Sequence, residues 1–134
     1  MQQLEKLKPL ALLLLRCALG IVFIYHGMPK LFGKTQMFID SFTGMGLPVW
    51  TVYLAGVIEL LGGGLLILGL FTRIAGLLLT AHMAIALWKF NLAEGVLAVR
   101  EYEFPLVLAA AAFALAALGA GAISLDKVIF KEKA

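Results

Sequence analysis

Charge and cysteine are what this chain has little of. Charged residues make up 14% of its 134 positions and hydrophobic ones 63%, whereas an ordinary soluble domain carries about 25% charged and about 45–50% apolar residues. A domain this short leaves a large share of its surface uncovered, so the apolar surplus argues against a soluble enzyme and must face lipid or other chains. The single cysteine, Cys17, excludes an intramolecular disulfide framework and a cysteine-cluster metal site. A Gly-rich phosphate loop, a CxxC, an HExxH and a nucleophile–base arrangement at motif spacing are also missing. Net charge is +3, but the basic residues are scattered outside the apolar stretches rather than gathered in a stripe. Nucleic acid is therefore not expected as a partner.

What is there is long apolar runs. Crossing some 30 Å of hydrocarbon takes about 20 mainly apolar residues in a helix, and four segments qualify: about 9–25, 50–71, 74–90 and 104–125. The fold class predicted is all-α, an integral membrane four-helix bundle forming one domain over the chain, 1–134. Lys6 and Lys8 before the first run imitate a signal peptide. Arg16 interrupts that run and no small-x-small site follows, so it reads as a retained helix. Pro9 and Pro105 suit a first helical turn; Trp50, Tyr53, Trp88 and Tyr102 suit the membrane interface. Between the second and third helices only Thr72 and Arg73 remain, which predicts a tight antiparallel hairpin.

The link between the first and second helices is longer, from Gly27 to Val49. Its middle, Thr35 to Phe42, sets Met37, Phe38 and Phe42 on one helical side. That pattern fits an interfacial helix resting on the bilayer or a lid over a site. Lys6, Lys8, Arg73, Lys127, Lys131 and Lys133 would flank one side of the membrane, and Lys30, Lys34, Lys89 and Arg100 the other. The excess of basic residues puts both termini in the cytoplasm.

Ionisable groups inside hydrocarbon are costly and tend to face the bundle interior and carry function. Five residues form the candidate polar site: Arg16, His26, Lys30, Glu59 and His82. At a rise of about 1.5 Å per residue, Arg16 lies ~9–10 Å deep, His82 ~13 Å and Glu59 ~16–17 Å from the same face. Glu59 and Arg16 are the acid and the cation placed mid-span, so the expectation is that they neutralise one another. A pair of that kind could also serve only to fix helix register. Gly56, Gly62 and Gly63 lie at helical spacing from Glu59, and Gly20 beside Arg16; all clear room for close approach. His82 could instead be satisfied by a backbone carbonyl or by Thr80. His26 and Lys30 share a face at the outer end of the first helix. There they could hold a head group, or Lys30 could only reach toward lipid phosphate.

The fourth helix has two small-residue faces, Ala109–Ala112–Ala116–Gly119 and Ala110–Ala114–Ala117–Gly121, suited to close packing within the bundle or in a homo-oligomer. Glu94, Arg100, Glu101, Tyr102 and Glu103 read as a solvated rim.

The stretch Tyr25-His26-Gly27-Met28-Pro29-Lys30-Leu31-Phe32-Gly33 resembles the signature at the end of the first helix in the DoxX family of small bacterial membrane proteins. Gly44-Met45-Gly46-Leu47-Pro48, Glu59-Leu60-Leu61-Gly62-Gly63-Gly64, Gly69-Leu70-Phe71-Thr72-Arg73 and Ser124-Leu125-Asp126 extend the resemblance in order along nearly the whole chain. It implies a four-helix protein of the bacterial inner membrane. One such relative is a subunit of a thiosulfate:quinone oxidoreductase, others are linked to redox-stress complexes, and distant cousins look like cargo receptors or assembly chaperones.

With no redox cysteine pair and no haem-ligating pattern, a quinone or a redox partner protein would have to supply any electron carrier. The leading expectation is a quinone- or small-apolar-ligand-binding subunit of a membrane redox system, with no covalent cofactor. An assembly or structural subunit without chemistry of its own is the alternative. A small proton-coupled transporter, which would need oligomerisation for a pathway, is the third.

Overall fold

The computed structural model describes residues 1–91 and 99–131, and within these the side chains of all but 90, 91 and 99–101. Glu94, Lys133 and the side chains of Arg100 and Glu101, part of the expected rim and flank, lie outside the described residues. Among the described residues every regular element is helical: α1 (Gln2–Glu5), α2 (Lys8–Leu31), α3 (Thr35–Gly44), α4 (Trp50–Leu68), α5 (Thr72–Ala86) continued by a π-helical turn (Leu87–Asn91), α6 (Val99–Leu118) and α7 (Leu125–Phe130). The four long helices pack on one another, α2 along α4, α4 on α5, α5 along α6, and α6 back to α2.

Glycines set the closest contacts. A Cβ on Gly20 would fall 2.5 Å from the Gly63 carbonyl oxygen, and one on Gly27 2.9 Å from that of Gly56. Two glycines seven residues apart on α2 thus oppose two seven apart on the antiparallel α4, so the backbones touch where a larger residue would hold them off. Gly76 of α5 approaches the Ala112 carbonyl and Ala116 of α6 in the same way, which occupies the first small-residue face of that helix inside the bundle. Leu19, Phe23, Leu66, Leu79, Leu108 and Leu115 fill the core between the four helices.

Several boundaries differ from the sequence expectation, each for a local reason. The first helix runs on to Leu31; Gly27 serves as a contact point with α4, and Pro29, which has no N–H to donate to the Tyr25 carbonyl, lies inside it. The second ends at Leu68 because Gly69 adopts a left-handed conformation (φ 68°), and Leu70 N–H closes the cap on the Leu65 carbonyl at 2.9 Å. The hairpin turn is therefore Gly69-Leu70-Phe71, with Thr72 and Arg73 already helical. The fourth long helix starts at Val99, which puts Pro105 inside it, and stops at Leu118. Gly119 (φ 81°) and Gly121 (φ 88°) break it, and Ser124 Oγ accepts the Lys127 N–H to start α7.

Outward faces are apolar. Leu14, Ile21, Leu61, Ile74, Ile85, Val107 and Phe113 are all exposed, as water-soluble helices of a bundle would not be. Among the described residues two helices, α2 and α4, are long and apolar enough to cross a membrane, and α6 adds a shorter apolar stretch, Tyr102–Leu118. Trp50, Tyr53 and Trp88 stand exposed.

Candidate functional site

Glu59 is the centre of the buried polar cluster, and its cation is Lys30. The Lys30 ammonium lies 2.8 Å from Oε2 and 3.1 Å from Oε1 of Glu59, and donates further to the His26 carbonyl at 3.1 Å. His82 Nε2 lies 2.9 Å from Glu59 Oε1. Lys30 and Glu59 are 8% and 5% exposed, so the ion pair is sealed from bulk water. Gly62 faces Leu79 between α4 and α5; one turn away on each helix, Glu59 then faces His82.

Arg16 is not Glu59's partner, which corrects the expected central pair. Its guanidinium, 1% exposed, donates from Nε to the Leu66 carbonyl at 3.0 Å, from Nη1 to Ala120 and Ile123 at 2.7 Å each, and from Nη2 to Ile67 at 3.4 Å. The reason is register and direction. With Gly20 opposite Gly63, Arg16 stands level with Ile67, some 12 Å along the axis from Glu59 at about 1.5 Å per residue. Helical side chains also tilt toward the N-terminus of their own helix. On antiparallel α2 and α4 that tilt brings Lys30 and Glu59 toward each other and carries Arg16 away, onto the carbonyls at the end of α4. A cation there meets the negative end of the helix dipole.

Asp126, which the sequence offered only as part of a family resemblance, completes that far end. Its carboxylate accepts the N–H groups of Phe71 (2.6 Å) and Thr72 (2.9 Å), capping α5, while its own N–H donates to the Gly69 carbonyl at 2.8 Å. Arg73 caps α6 by donating to the carbonyls of Ala116 and Ala117. One end of the bundle therefore uses its charges to close helix termini, and the other end holds the carboxylate cluster.

That cluster borders a cavity of about 660 Å³, within the range of small-molecule sites. Glu59, His82, Lys30 and His26 contribute its ionisable groups, and Phe23, Trp50, Leu54, Ile58, Leu108 and Phe104 much of its apolar wall. Arg16 does not line it. The amphipathic α3 does: Phe38 and Phe42 face the cavity, and Lys30 Nζ lies 4.9 Å from the Phe38 ring centre. The segment forms the wall of the cavity that faces away from α5, through Phe38, Ser41 and Phe42. His26 lies at the rim, exposed, its ring packed on Phe104 at 5.4 Å and Tyr25 at 5.7 Å rather than on the carboxylate. Leu54, Leu78, Trp50 and Ile85 line the cavity and are also exposed, so it opens sideways between α4 and α5 onto the apolar flank. Nothing in the residue spacing alone identified Phe104, Leu54 or Ile58 as wall, because they come together only through packing.

The DoxX family model matches residues 11–92, a stretch that contains all five candidate polar residues. The chain belongs to the DoxX family. It is 36% identical over 121 residues to "Putative oxidoreductase CatD" of Bacillus subtilis, covering 90% of this chain and 88% of that one. It is 32% identical over 136 residues to the inner membrane protein YphA of Escherichia coli, covering 90% and 91%, and 29% identical over 133 residues to the inner membrane protein YqjF of the same organism, covering 96% and 99%. No solved structure matches. Family, relatives and exposed apolar flanks agree on a DoxX membrane protein associated with the lipid bilayer.

Proposed function

We propose that this DoxX protein is the ligand-binding subunit of a membrane redox system, and that its ligand, a quinone or another small apolar molecule, sits in the cavity beside Glu59. The observation that carries this reading is a buried carboxylate, held by Lys30 and His82, on the wall of an otherwise apolar cavity that opens toward lipid. Intramembrane ionisable groups facing a cavity are expensive to retain without a use. The name of the Bacillus subtilis relative adds support for redox work.

The residues fit such a ring-and-tail molecule. Phe23, Phe104 and Leu108 offer flat and branched apolar contacts for a ring, the lateral opening leaves room for a tail among the acyl chains, and His26 stands at the rim. A quinone would supply the electron-carrying chemistry that a chain with one cysteine lacks. What the chain's own residues contribute is a place for a proton at Glu59 Oε2 or His82 Nδ1, exclusion of water by α3, and orientation through the Lys30 tether. Electrons would have to come from a redox partner protein. The four long helices each cross the inner membrane in this reading, with both termini in the cytoplasm.

The test is native mass spectrometry of protein purified from its own membrane, wild type beside Glu59→Gln. A small apolar molecule retained by wild type and lost from Glu59→Gln is the expected result. Wild type that holds no small molecule, and carries only partner proteins, would replace this reading with that of an assembly subunit.

A further inference from the structure

Donors and acceptors around Glu59 are unequally used, and the imbalance selects a ligand. The Lys30 ammonium has three N–H groups, and three acceptors meet it: the His26 carbonyl and both Glu59 oxygens. An ionised carboxylate only accepts, so His82 Nε2, at 2.9 Å from Glu59 Oε1, carries the hydrogen and donates it. Thr51, on the same wall, donates its hydroxyl to the Pro48 carbonyl. Glu59 Oε2 receives one hydrogen bond, from Lys30, and keeps capacity for another. At the carboxylate end the cavity therefore offers an open acceptor at Glu59 Oε2, while the Lys30 ammonium and His82 Nε2 are already engaged. The remaining donors of the described wall, on His26, Ser41 and Trp50, belong to exposed residues at the rim.

From this the geometry points to a hydroxyl-bearing ligand: the cavity takes a neutral apolar molecule that brings its own O–H, of the phenol or hydroquinone class, and seats that hydroxyl on Glu59 Oε2. The inference rests on the proposed ligand site and narrows it. A molecule that presents only carbonyl or ether oxygens to the deep end would set lone pairs against a carboxylate and displace no donor toward itself. An anionic head group would meet the same carboxylate without a free cation, because Lys30 is fully occupied.

Three probes of one ring and tail separate the cases: a short-chain benzoquinol kept reduced and anaerobic, its di-O-methyl ether, and the matching benzoquinone. Each is titrated by calorimetry into the full chain in lipid nanodiscs, with empty nanodiscs subtracted. Wild type should bind the benzoquinol about ten- to a hundredfold more tightly than the ether, the range of a hydrogen bond to a charged group, and more tightly than the benzoquinone. Glu59→Gln brings an amide donor and releases Lys30, so this preference should vanish or turn toward the benzoquinone. Equal affinity for all three probes in wild type, or a preference for the oxidised ring, overturns the hydroxyl assignment while leaving the ligand site standing. Wild type that binds none of them overturns both. If Glu59→Gln does not fold, the comparison among probes in wild type decides alone.

Discussion

The ammonium of Lys30 and the carboxylate of Glu59, 29 positions apart, meet at 2.8 Å inside the bundle. Removing one member of a buried pair leaves the other charge stranded, which typically costs about 3–5 kcal/mol, whereas replacing both by apolar residues can be neutral. Lys30→Met and Glu59→Leu should each lower the melting temperature in detergent strongly, and the double variant should recover most of the loss. A double variant as unstable as the sum of the singles would show that the two residues act independently.

Gly20 and Gly63 give a second quantitative expectation. A methyl group on Gly20 meets backbone and the Ile67 side chain within 2.6 Å, so α2 and α4 must move apart, while Gly64 has nothing within 4 Å of its added Cβ. Gly20→Ala is expected to destabilise by about 1–3 kcal/mol through overpacking. Gly64→Ala should be neutral or stabilising by up to about 1 kcal/mol from helix propensity. Thermal melts of the two variants in one detergent make the comparison; a reversed order would contradict the close α2–α4 approach.

Arg16 separates stability from ligand binding. Its guanidinium reaches four carbonyls from three nitrogens, a fork that an ammonium cannot reproduce. Arg16→Lys should therefore cost about 2–3 kcal/mol, roughly the value of charged hydrogen bonds lost at a helix end. Its affinity for cavity ligands should stay within about twofold of wild type, because Arg16 does not line the cavity. Selective loss of ligand with unchanged melting would return Arg16 to the site.

Much of this was legible in the residues. Apolar run length gave four helices, and the glycines beside Glu59 marked the face on which another helix packs. The height count set Arg16, His82 and Glu59 within about one and a half helical turns of one another, and of the two candidates His82 is the one that meets Glu59. It failed for Arg16 because it followed Cα positions alone and left out the tilt of side chains toward each helix's N-terminus, an effect of opposite sense on antiparallel neighbours. It also began the first helix from an assumed membrane boundary rather than from the Gly20–Gly63 register. Lys30 looked like a rim residue by position; its long side chain brings the ammonium inward to Glu59. The cavity wall and the capping role of Asp126 depend on contacts between residues far apart in sequence, to which no local pattern corresponds. The end of the fourth long helix shows the same limit, since Gly119 and Gly121 were read as packing residues although their left-handed conformation breaks the helix.

The packing also bears on which way the chain faces. Arg16, near the start of α2, donates to the Ile123 carbonyl, and Gly121 abuts Leu12. The first half of α2 and the segment that leads into α7 therefore lie at one end of the bundle, and α3, which lines the cavity, lies at the other. In the proposed topology of four crossings, residues 3 and 131 share the cytoplasmic side and residue 36 is opposite. In a Cys17→Ser background, Gln3→Cys and Lys131→Cys should react with an impermeant maleimide only in inside-out vesicles, and Gln36→Cys only in right-side-out ones. Labelling of positions 3 and 131 from opposite sides would overturn the four crossings. Labelling of both from outside would keep the crossings and invert the orientation, and with it the side on which α3 lines the cavity.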